Sequence, residues 1–173
     1  MQTFGLVGWS GSGKTTLLKQ LIPEIIRRGF TVSTVKHTHH HFDIDKKGKD
    51  SYQHREAGAT EVVITGTERW ALLHENRGQK EPDISDLLSR MSPVDLVLIE
   101  GFKSHPHDKM EIHRPEVGKP LLAANDPTVI AVATDDENLA TDIARLDLNN
   151  IATVADFILR WTGLDKKDDH GTA

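Results

Sequence analysis

Short apolar runs recur along the whole chain, and polar segments that contain glycine or proline separate them. Runs bounded by turn residues predict β-strands at 4–7, 30–36, 61–65, 69–75, 95–101, 110–113 and 128–134. Helical spacing and stop signals predict α-helices at 17–28, 50–57, 83–91 and 150–161. The last predicted helix has an apolar stripe that we expect to pack into the core: Ile151, Val154, Ala155, Ile158 and Trp161. Strands that alternate with helices favour a mostly parallel sheet, whereas the short turn between 61–65 and 69–75 predicts an antiparallel hairpin-like insertion.

The segment GWSGSGKTT, residues 8–16, lies between the first predicted strand and the first predicted helix. Its spacing of Gly8, Gly13, Lys14 and Thr15 is that of a phosphate loop, whose backbone N–H groups surround phosphate oxygens at a helix N-terminus. In that role Lys14 reaches the terminal phosphates, Thr15 binds Mg²⁺, and Thr16 offers a second hydroxyl to an inner phosphate. The predicted phosphate-binding residues are Gly8, Ser10, Gly11, Ser12, Gly13, Lys14, Thr15 and Thr16. The predicted fold class is therefore α/β, a P-loop NTPase with three α/β/α layers.

Glu100 ends the apolar segment LVLIE, which is typical of a strand in the centre of a parallel sheet. Ligands of open α/β sheets bind beyond the carboxyl ends of strands, where Gly8, Lys36 and Glu100 emerge. A carboxylate in this position is predicted to face Mg²⁺, usually through water. The alternative is a glutamate that caps the strand or leaves it for solvent.

The chain has 173 residues, a formal charge of −5 and no cysteine. This length fits one α/β domain, predicted at 1–164, with a flexible charged tail at 165–173. The acidic balance provides no global basic field, so neither nucleic acid nor a membrane is an expected partner. No apolar run approaches the length of about 18 residues that a membrane span needs, and no disulfide can form, so we expect a soluble cytoplasmic protein.

The segment KHTHHHFDIDKKGKDSY, residues 36–52, concentrates histidine, aspartate and lysine. Imidazoles and carboxylates bind transition metals, but consecutive histidines in an extended chain cannot all face one ion, and no cysteine completes a structural site. Lysines and histidines also bind phosphates, which favours a loop that contacts anions. A solvated charged loop is the third alternative.

Four segments together resemble the molybdopterin-guanine dinucleotide biosynthesis adapter family, MobB: GWSGSGKTTLLKQLIP, KHTHHHFDIDKKGKDSYQHREAGA, RWALL and DLVLIEGFK. The resemblance covers nearly the whole chain and is weakest around 104–127 and in the tail. It implies a homodimeric, Mg²⁺-dependent GTP-binding protein with weak GTPase activity. The implied partner is the guanylyltransferase that joins GMP to molybdopterin, and the adapter is not itself the transferase.

The same resemblance implies roles for individual positions. Residues 11–16 would hold the phosphates, Glu100 would lie on the magnesium side, and the block 36–52 would face nucleotide, molybdopterin or its dinucleotide form. The candidates in that block are Lys36, His37, His39, His40, Asp43, Asp45 and Lys49.

Guanine specificity is implied only by the resemblance, because the Asn-Lys-x-Asp signature of regulatory GTPases does not occur in the chain. A carboxylate accepts hydrogen bonds from the N1–H and amino group of guanine, which adenine cannot match. The candidate acceptors are Asp135, Asn125 and Asp126, and each could equally be a turn residue.

The motifs contain no obvious catalytic base or arginine finger, so we expect slow intrinsic hydrolysis. Arg55, Arg69, Arg77 or a second subunit could supply an arginine.

Two other functions share these features. A small-molecule P-loop kinase would need an arginine-rich lid, which the sequence does not show. A nucleotide-gated metallochaperone would use the histidine cluster. A scaffold with a decayed nucleotide site is disfavoured because every phosphate-loop position is intact.

Overall fold

The computed structural model describes residues 1–38 and 42–165, and the chain divides into two compact units. The larger unit comprises Met1–His37 and Ser92–Ala173, and the smaller unit comprises Thr38–Met91. The single domain expected at 1–164 stays a prediction, and the expected tail lies, apart from Asp165, outside the described residues.

The elements of the larger unit form an open α/β layer structure. They are β1 (Gln2–Val7), α1 (Lys14–Arg27), β2 (Val32–Lys36), β5 (Leu96–Glu100), β6 (Lys109–His113), β7 (Val129–Thr134), β8 (Ala144–Asp147) and α4 (Ile151–Trp161). A single 3₁₀ turn follows β6 at Pro115–Val117. The strand order is β2-β5-β1-β6-β7-β8, and every neighbouring pair is parallel. The mostly parallel sheet is thus confirmed, and the sequence missed only the short β8 among these strands.

Helices α1 and α4 bury their apolar faces against one face of this sheet. The shared core includes Phe4 of β1, Leu98 of β5, Leu21 of α1 and Ile158 of α4, all fully buried. Such burial stabilises the fold by about 1.5 to 3 kcal/mol for each large side chain. The prediction that Trp161 packs into the core with the rest of the α4 stripe was wrong, because Trp161 is 50% exposed at the end of the helix.

The other face of the sheet carries two buried charges that the hydrophobic pattern did not predict. Lys109 and Glu111 alternate along β6 with the apolar Met110 and Ile112, so they point to the opposite face. Glu111 accepts hydrogen bonds from the backbone N–H groups of Leu122 and Ala123, at 2.9 and 3.0 Å. These loop contacts offset the cost of burying the carboxylate.

Lys109 is satisfied in a similar way by the loop between β5 and β6, together with Asp126 before β7. Its Nζ donates to the carbonyl oxygens of Lys103 and His105 and to Asp126, at 3.0, 2.7 and 3.1 Å. This loop crosses β1, where a Cβ at Gly5 would lie 2.5 Å from His107 Nε2. Glycine at position 5 therefore permits the crossing.

The smaller unit contains α2 (Asp50–Glu56), β3 (Glu61–Thr65), β4 (Trp70–His74) and α3 (Ile84–Ser89). Strands β3 and β4 pair antiparallel, which confirms the predicted hairpin. Asp83 caps α3 by accepting hydrogen bonds from the backbone N–H groups of Ser85 and Asp86. In the part of the chain that the structure describes, no helix combines the length and apolar character that crossing a membrane requires.

Candidate functional site

The loop between β1 and α1 has the backbone path that a phosphate site requires. Gly8 has φ 148°, and a Cβ there would lie 2.5 Å from the carbonyl oxygen of Ile112. Gly13 has φ 95° and immediately precedes the first residue of α1. Both positions need glycine, because side chains rarely adopt these conformations. The N-terminus of a 14-residue helix therefore opens onto this loop.

Lys14 folds back over the loop. Its Nζ donates to the carbonyl oxygens of Gly8 and Trp9 at 3.0 and 2.9 Å. Partial burial lowers the pKa of Lys14, and the nearby Glu100 carboxylate acts in the opposite direction. The positive charges of Lys103 and Lys36 repel the Lys14 ammonium and lower its pKa further. An anion bound in the loop would offset this repulsion between cations.

Ser12 provides a further polar group inside the loop. Its side chain is 1% exposed, and its Oγ is one of the buried polar side-chain atoms without a hydrogen-bond partner in the described structure. A buried hydroxyl of this kind is rare unless a ligand or water satisfies it. The residues present therefore fit a phosphate group.

The register of three neighbouring strands positions Glu100, one of the two residues predicted to bind Mg²⁺. Glu100 at the end of β5 is paired with Leu6 of β1 and with Lys36 of β2. Its side chain is nearly buried, and its Oε1 lies 3.5 Å from Lys36 Nζ. Thr15 is exposed in the first turn of α1. A hydroxyl and a carboxylate are oxygen ligands that suit Mg²⁺, so these two side chains fit the predicted metal.

Asp135 follows β7 at the carboxyl edge of the sheet, beside a cavity of about 250 Å³. The acidic side chains that line this cavity are Asp135, Asp136, Glu137 and Asp147. Arg114 binds the carboxylate of Asp135 and also lines a smaller cavity with Gly13, Thr16 and Asn149. Asp135 is thus connected to the phosphate loop through Arg114.

The other two base-contact candidates are not brought to this cavity. Asn125 and Asp126 precede β7, whose six residues span about 20 Å, so they lie at the opposite end of the strand from Asp135. Asp126 accepts hydrogen bonds from Lys109 and from the hydroxyl and backbone N–H of Thr128. These contacts lower the pKa of Asp126, although its partial burial acts in the opposite direction. Its position is that of a structural turn residue.

The block 36–52 is divided between the two units. Lys36 and His37 lie in the larger unit, where His37 N–H donates to the carbonyl oxygen of Glu100 at 2.9 Å. The remaining described candidates, Asp43, Asp45 and Lys49, lie in the smaller unit. His39 and His40 are outside the described residues.

In the smaller unit the two aspartates surround Arg55. Arg55 Nη2 lies 2.9 Å from Asp43, Nε lies 3.5 Å from Asp45, and Nη1 lies 2.8 Å from Glu75. Lys49 precedes α2 without capping it through its side chain. Residues 1–38 and 42–165 contain no group of three or more histidines, cysteines or carboxylates that could hold a metal ion.

Arg114 and Asn149 are the residues that sequence reasoning missed. Arg114 is the first residue after β6, and Asn149 lies just after β8, so both emerge at the carboxyl edge. The rule that ligands bind beyond strand ends could have identified Arg114. Asn149 was hidden because β8 itself was not predicted.

A parallel sheet with a phosphate loop between its first strand and first helix defines a protein of the P-loop NTPase fold class. Residues 3–135 match the model of one family, MobB, described as Molybdopterin guanine dinucleotide synthesis protein B. The chain therefore belongs to the MobB family.

Individual relatives agree with this assignment. The chain is 46% identical over 156 residues to the molybdopterin-guanine dinucleotide biosynthesis adapter protein of Escherichia coli (strain K12), covering 88% of this chain and 89% of the relative. It is 46% identical over 160 residues to the Haemophilus influenzae protein of the same name, covering 91% and 87%. A crystal structure of molybdopterin-guanine biosynthesis protein B (mobB) superposes with a TM-score of 0.72 at 26% identity, covering 92% of this chain and 99% of that one. These comparisons confirm the predicted family and fold class.

Proposed function

We propose that this chain is a GTP-binding adapter in molybdopterin guanine dinucleotide biosynthesis. It would assist the guanylyltransferase that joins GMP to molybdopterin and would itself hydrolyse GTP only slowly. The observation that carries the nucleotide part is the phosphate loop, in which Lys14 and the buried Ser12 hydroxyl face a site at the N-terminus of α1. The adapter part rests on the two relatives whose names state that role.

In this proposal the chain holds the triphosphate with charges of its own. Backbone N–H groups of residues 11–16 surround the phosphates, and Lys14 exchanges its carbonyl partners for phosphate oxygens. Thr15 and Glu100 hold Mg²⁺, whose charge neutralises the phosphates when it is bound. Lys36, beside Glu100, prevents the carboxylate from adding an uncompensated negative charge.

The base would lie in the acidic cavity next to Asp135. Guanine presents two adjacent donors, N1–H and the amino group, whereas the corresponding edge of adenine carries an acceptor at N1. The cavity is lined by four carboxylates and one arginine, Arg145, so acceptors predominate and favour guanine. A site that accepts hydrogen bonds from a base's N–H groups binds an analogue that lacks them less tightly, because those hydrogen bonds are lost.

Slow hydrolysis is supported by the contacts of Arg114, the arginine that lies against the start of α1. Arg114 is engaged by Asp135, on the side of the loop formed by Gly13 and Thr16. Rapid hydrolysis requires an arginine or an equivalent positive charge at the terminal phosphate. A purified protein that hydrolysed GTP at about 10 per second, a typical enzymatic turnover, would contradict this part of the proposal.

We also propose that the chain forms a homodimer and contacts a pterin through the smaller unit. Val63, Trp70 and Leu72 lie on one face of the hairpin and are 61%, 66% and 40% exposed, which is suited to contact with a second copy. A cavity of about 860 Å³ shares Leu72 with this face and is also lined by Phe42, Asp43 and Arg55, groups able to stack on a pterin and to bind its polar edge.

Competition binding tests the proposal directly. A fluorescent GTP analogue is titrated with Mg²⁺, displaced with GTP or ATP, and the guanylyltransferase is then assayed for dinucleotide formation with and without the chain. We expect GTP to displace the analogue more strongly than ATP and the chain to increase product formation. Equal displacement by both nucleotides would contradict the guanine assignment, and unchanged product formation would contradict the adapter role.

A further inference from the structure

Arg114 occupies the junction between the phosphate loop and the acidic cavity. Its Nε lies 3.3 Å from the position that a Cβ at Gly13 would take, so its guanidinium lies against the start of α1. Its Nη1 donates to Oδ2 of Asp135. The side chains of Arg114 and Asp135 are 25% and 29% exposed, so this ion pair is partly shielded from solvent.

The two cavities beside this ion pair share one lining residue. Asn149 lines both the cavity of about 250 Å³ that contains Asp135 and the cavity of about 100 Å³ that contains Gly13 and Arg114. A nucleotide whose phosphates lie in the loop would extend along this path to place its base beside Asp135. Arg114 would then lie alongside the nucleotide on its phosphate-to-base side.

The chemistry of the pair suits a fixed acceptor. A carboxylate on a short side chain can rotate, and a hydrogen bond from a guanidinium restricts that rotation. Arg114 binds Oδ2, so Oδ1 is the oxygen of Asp135 that this ion pair leaves for a hydrogen bond from a ligand. The positive charge also limits repulsion between Asp135 and the phosphates, which a pocket of four carboxylates would otherwise intensify.

We propose that Arg114 is a positioning residue for guanine specificity, which acts by holding the Asp135 carboxylate toward the donors of the base. This inference rests on the proposed GTP binding. It assigns to Arg114 a function separate from phosphate binding by Lys14. It also makes base recognition depend on two residues that are 21 positions apart in the sequence.

The test compares GTP with inosine triphosphate, which keeps N1–H but lacks the 2-amino group. Dissociation constants for both nucleotides are measured for the wild type and for Arg114→Ala, Arg114→Lys, Asp135→Ala and the Arg114→Ala/Asp135→Ala double variant. Arg27→Ala is the matched control, because Arg27 lies in the last turn of α1 with a side chain that is 71% exposed. Thermal unfolding of each variant checks the fold.

We expect Asp135→Ala to reduce the preference for GTP over inosine triphosphate by about tenfold, which is the effect of losing a charged acceptor. Arg114→Ala should reduce this preference by about three- to tenfold, and Arg114→Lys by less, since lysine retains a charged donor. In the double variant, the loss of Arg114 should cause no further decrease in preference. Arg27→Ala should behave as the wild type does.

Other outcomes overturn the inference in distinguishable ways. If Arg114→Ala weakens both nucleotides equally and the preference is unchanged, Arg114 contacts phosphates or supports the fold and does not position Asp135. If the preference decreases further when both changes are combined, the two residues act independently. If the wild type shows no preference for GTP over inosine triphosphate, the inference fails, whereas the proposed guanine specificity fails only if ATP displaces the fluorescent analogue as strongly as GTP does.

Discussion

Replacement of Lys14 by alanine is the most informative single perturbation of the candidate site. Lys14 makes two hydrogen bonds, to the carbonyl oxygens of Gly8 and Trp9, at 3.0 and 2.9 Å. The structure therefore predicts two separate effects of the change. One effect is on the stability of the free protein, and the other is on the affinity for phosphate groups.

The two effects differ in size. Loss of two partly exposed hydrogen bonds should lower the free energy of unfolding by about 1 to 2 kcal/mol. For a chain of this size that corresponds to a decrease of about 3 to 6 °C in Tm. Loss of the ammonium from two charge-assisted phosphate contacts should cost about 3 kcal/mol of binding free energy, or about 100-fold in the dissociation constant for GTP.

Lys19→Ala provides the matched control, because Lys19 lies on the same helix, carries the same charge and is exposed. Both variants are titrated with a fluorescent GTP analogue in the presence of Mg²⁺, and both are unfolded thermally without nucleotide. We expect Lys14→Ala to lose affinity and Lys19→Ala to bind as the wild type does. If Lys14→Ala bound GTP within about threefold of the wild type, less than the loss of one charged hydrogen bond, the assignment of the loop as the phosphate site would be refuted.

Four further measurements test other parts of the structure. Glu100→Gln should raise the Mg²⁺ concentration needed for half-maximal GTP binding by about tenfold, and an unchanged Mg²⁺ titration would remove Glu100 from the metal site. Asp135→Asn exchanges an acceptor for a donor, so competition binding should show a shift from GTP toward xanthosine triphosphate, and retained GTP preference would exclude Asp135 as the base acceptor. Gly5→Ala should lower the free energy of unfolding by about 1 to 3 kcal/mol, because the new Cβ would lie 2.5 Å from His107 Nε2 and 2.6 Å from Lys109 Cβ. An unchanged midpoint in urea unfolding would disprove the close approach of the β5–β6 loop to β1. Burial and nearby Lys109 lower the pKa of His107 to about 4 from its ordinary 6.5. The unfolded chain therefore binds more protons than the folded chain between these pH values, and the free energy of unfolding should fall as pH drops through that window. His107→Gln should make this decrease shallower in urea unfolding, and an unaltered slope would contradict the lowered pKa of His107.

Most elements were predictable from the sequence because their signals are local. A glycine-rich turn between an apolar strand and an amphipathic helix identifies the phosphate loop without any knowledge of distant contacts. The same holds for the hairpin at β3 and β4. Strand β8 was missed because its four residues, ARLD, contain only two apolar side chains.

The candidate site was predictable only in part. Lys14 was identified by the spacing of the phosphate-loop motif, and Glu100 by its position at the carboxyl end of β5. Asp126 was grouped with Asp135 because the two are close in sequence, yet they lie at opposite ends of β7. Proximity along the chain becomes separation in space whenever an extended strand lies between two residues.

The sequence by itself determined the fold class, the family and the position of the phosphate loop, since backbone conformation and strand ends depend on short stretches of residues. Only the tertiary structure decided that Arg114 meets Asp135, that Lys109 and Glu111 are buried charges, and that block 36–52 is divided between two units. The first two outcomes depend on the strand order, which places β6 next to both β1 and β7. That order follows from how the whole sheet packs beneath α1 and α4, and no local pattern of residues encodes it.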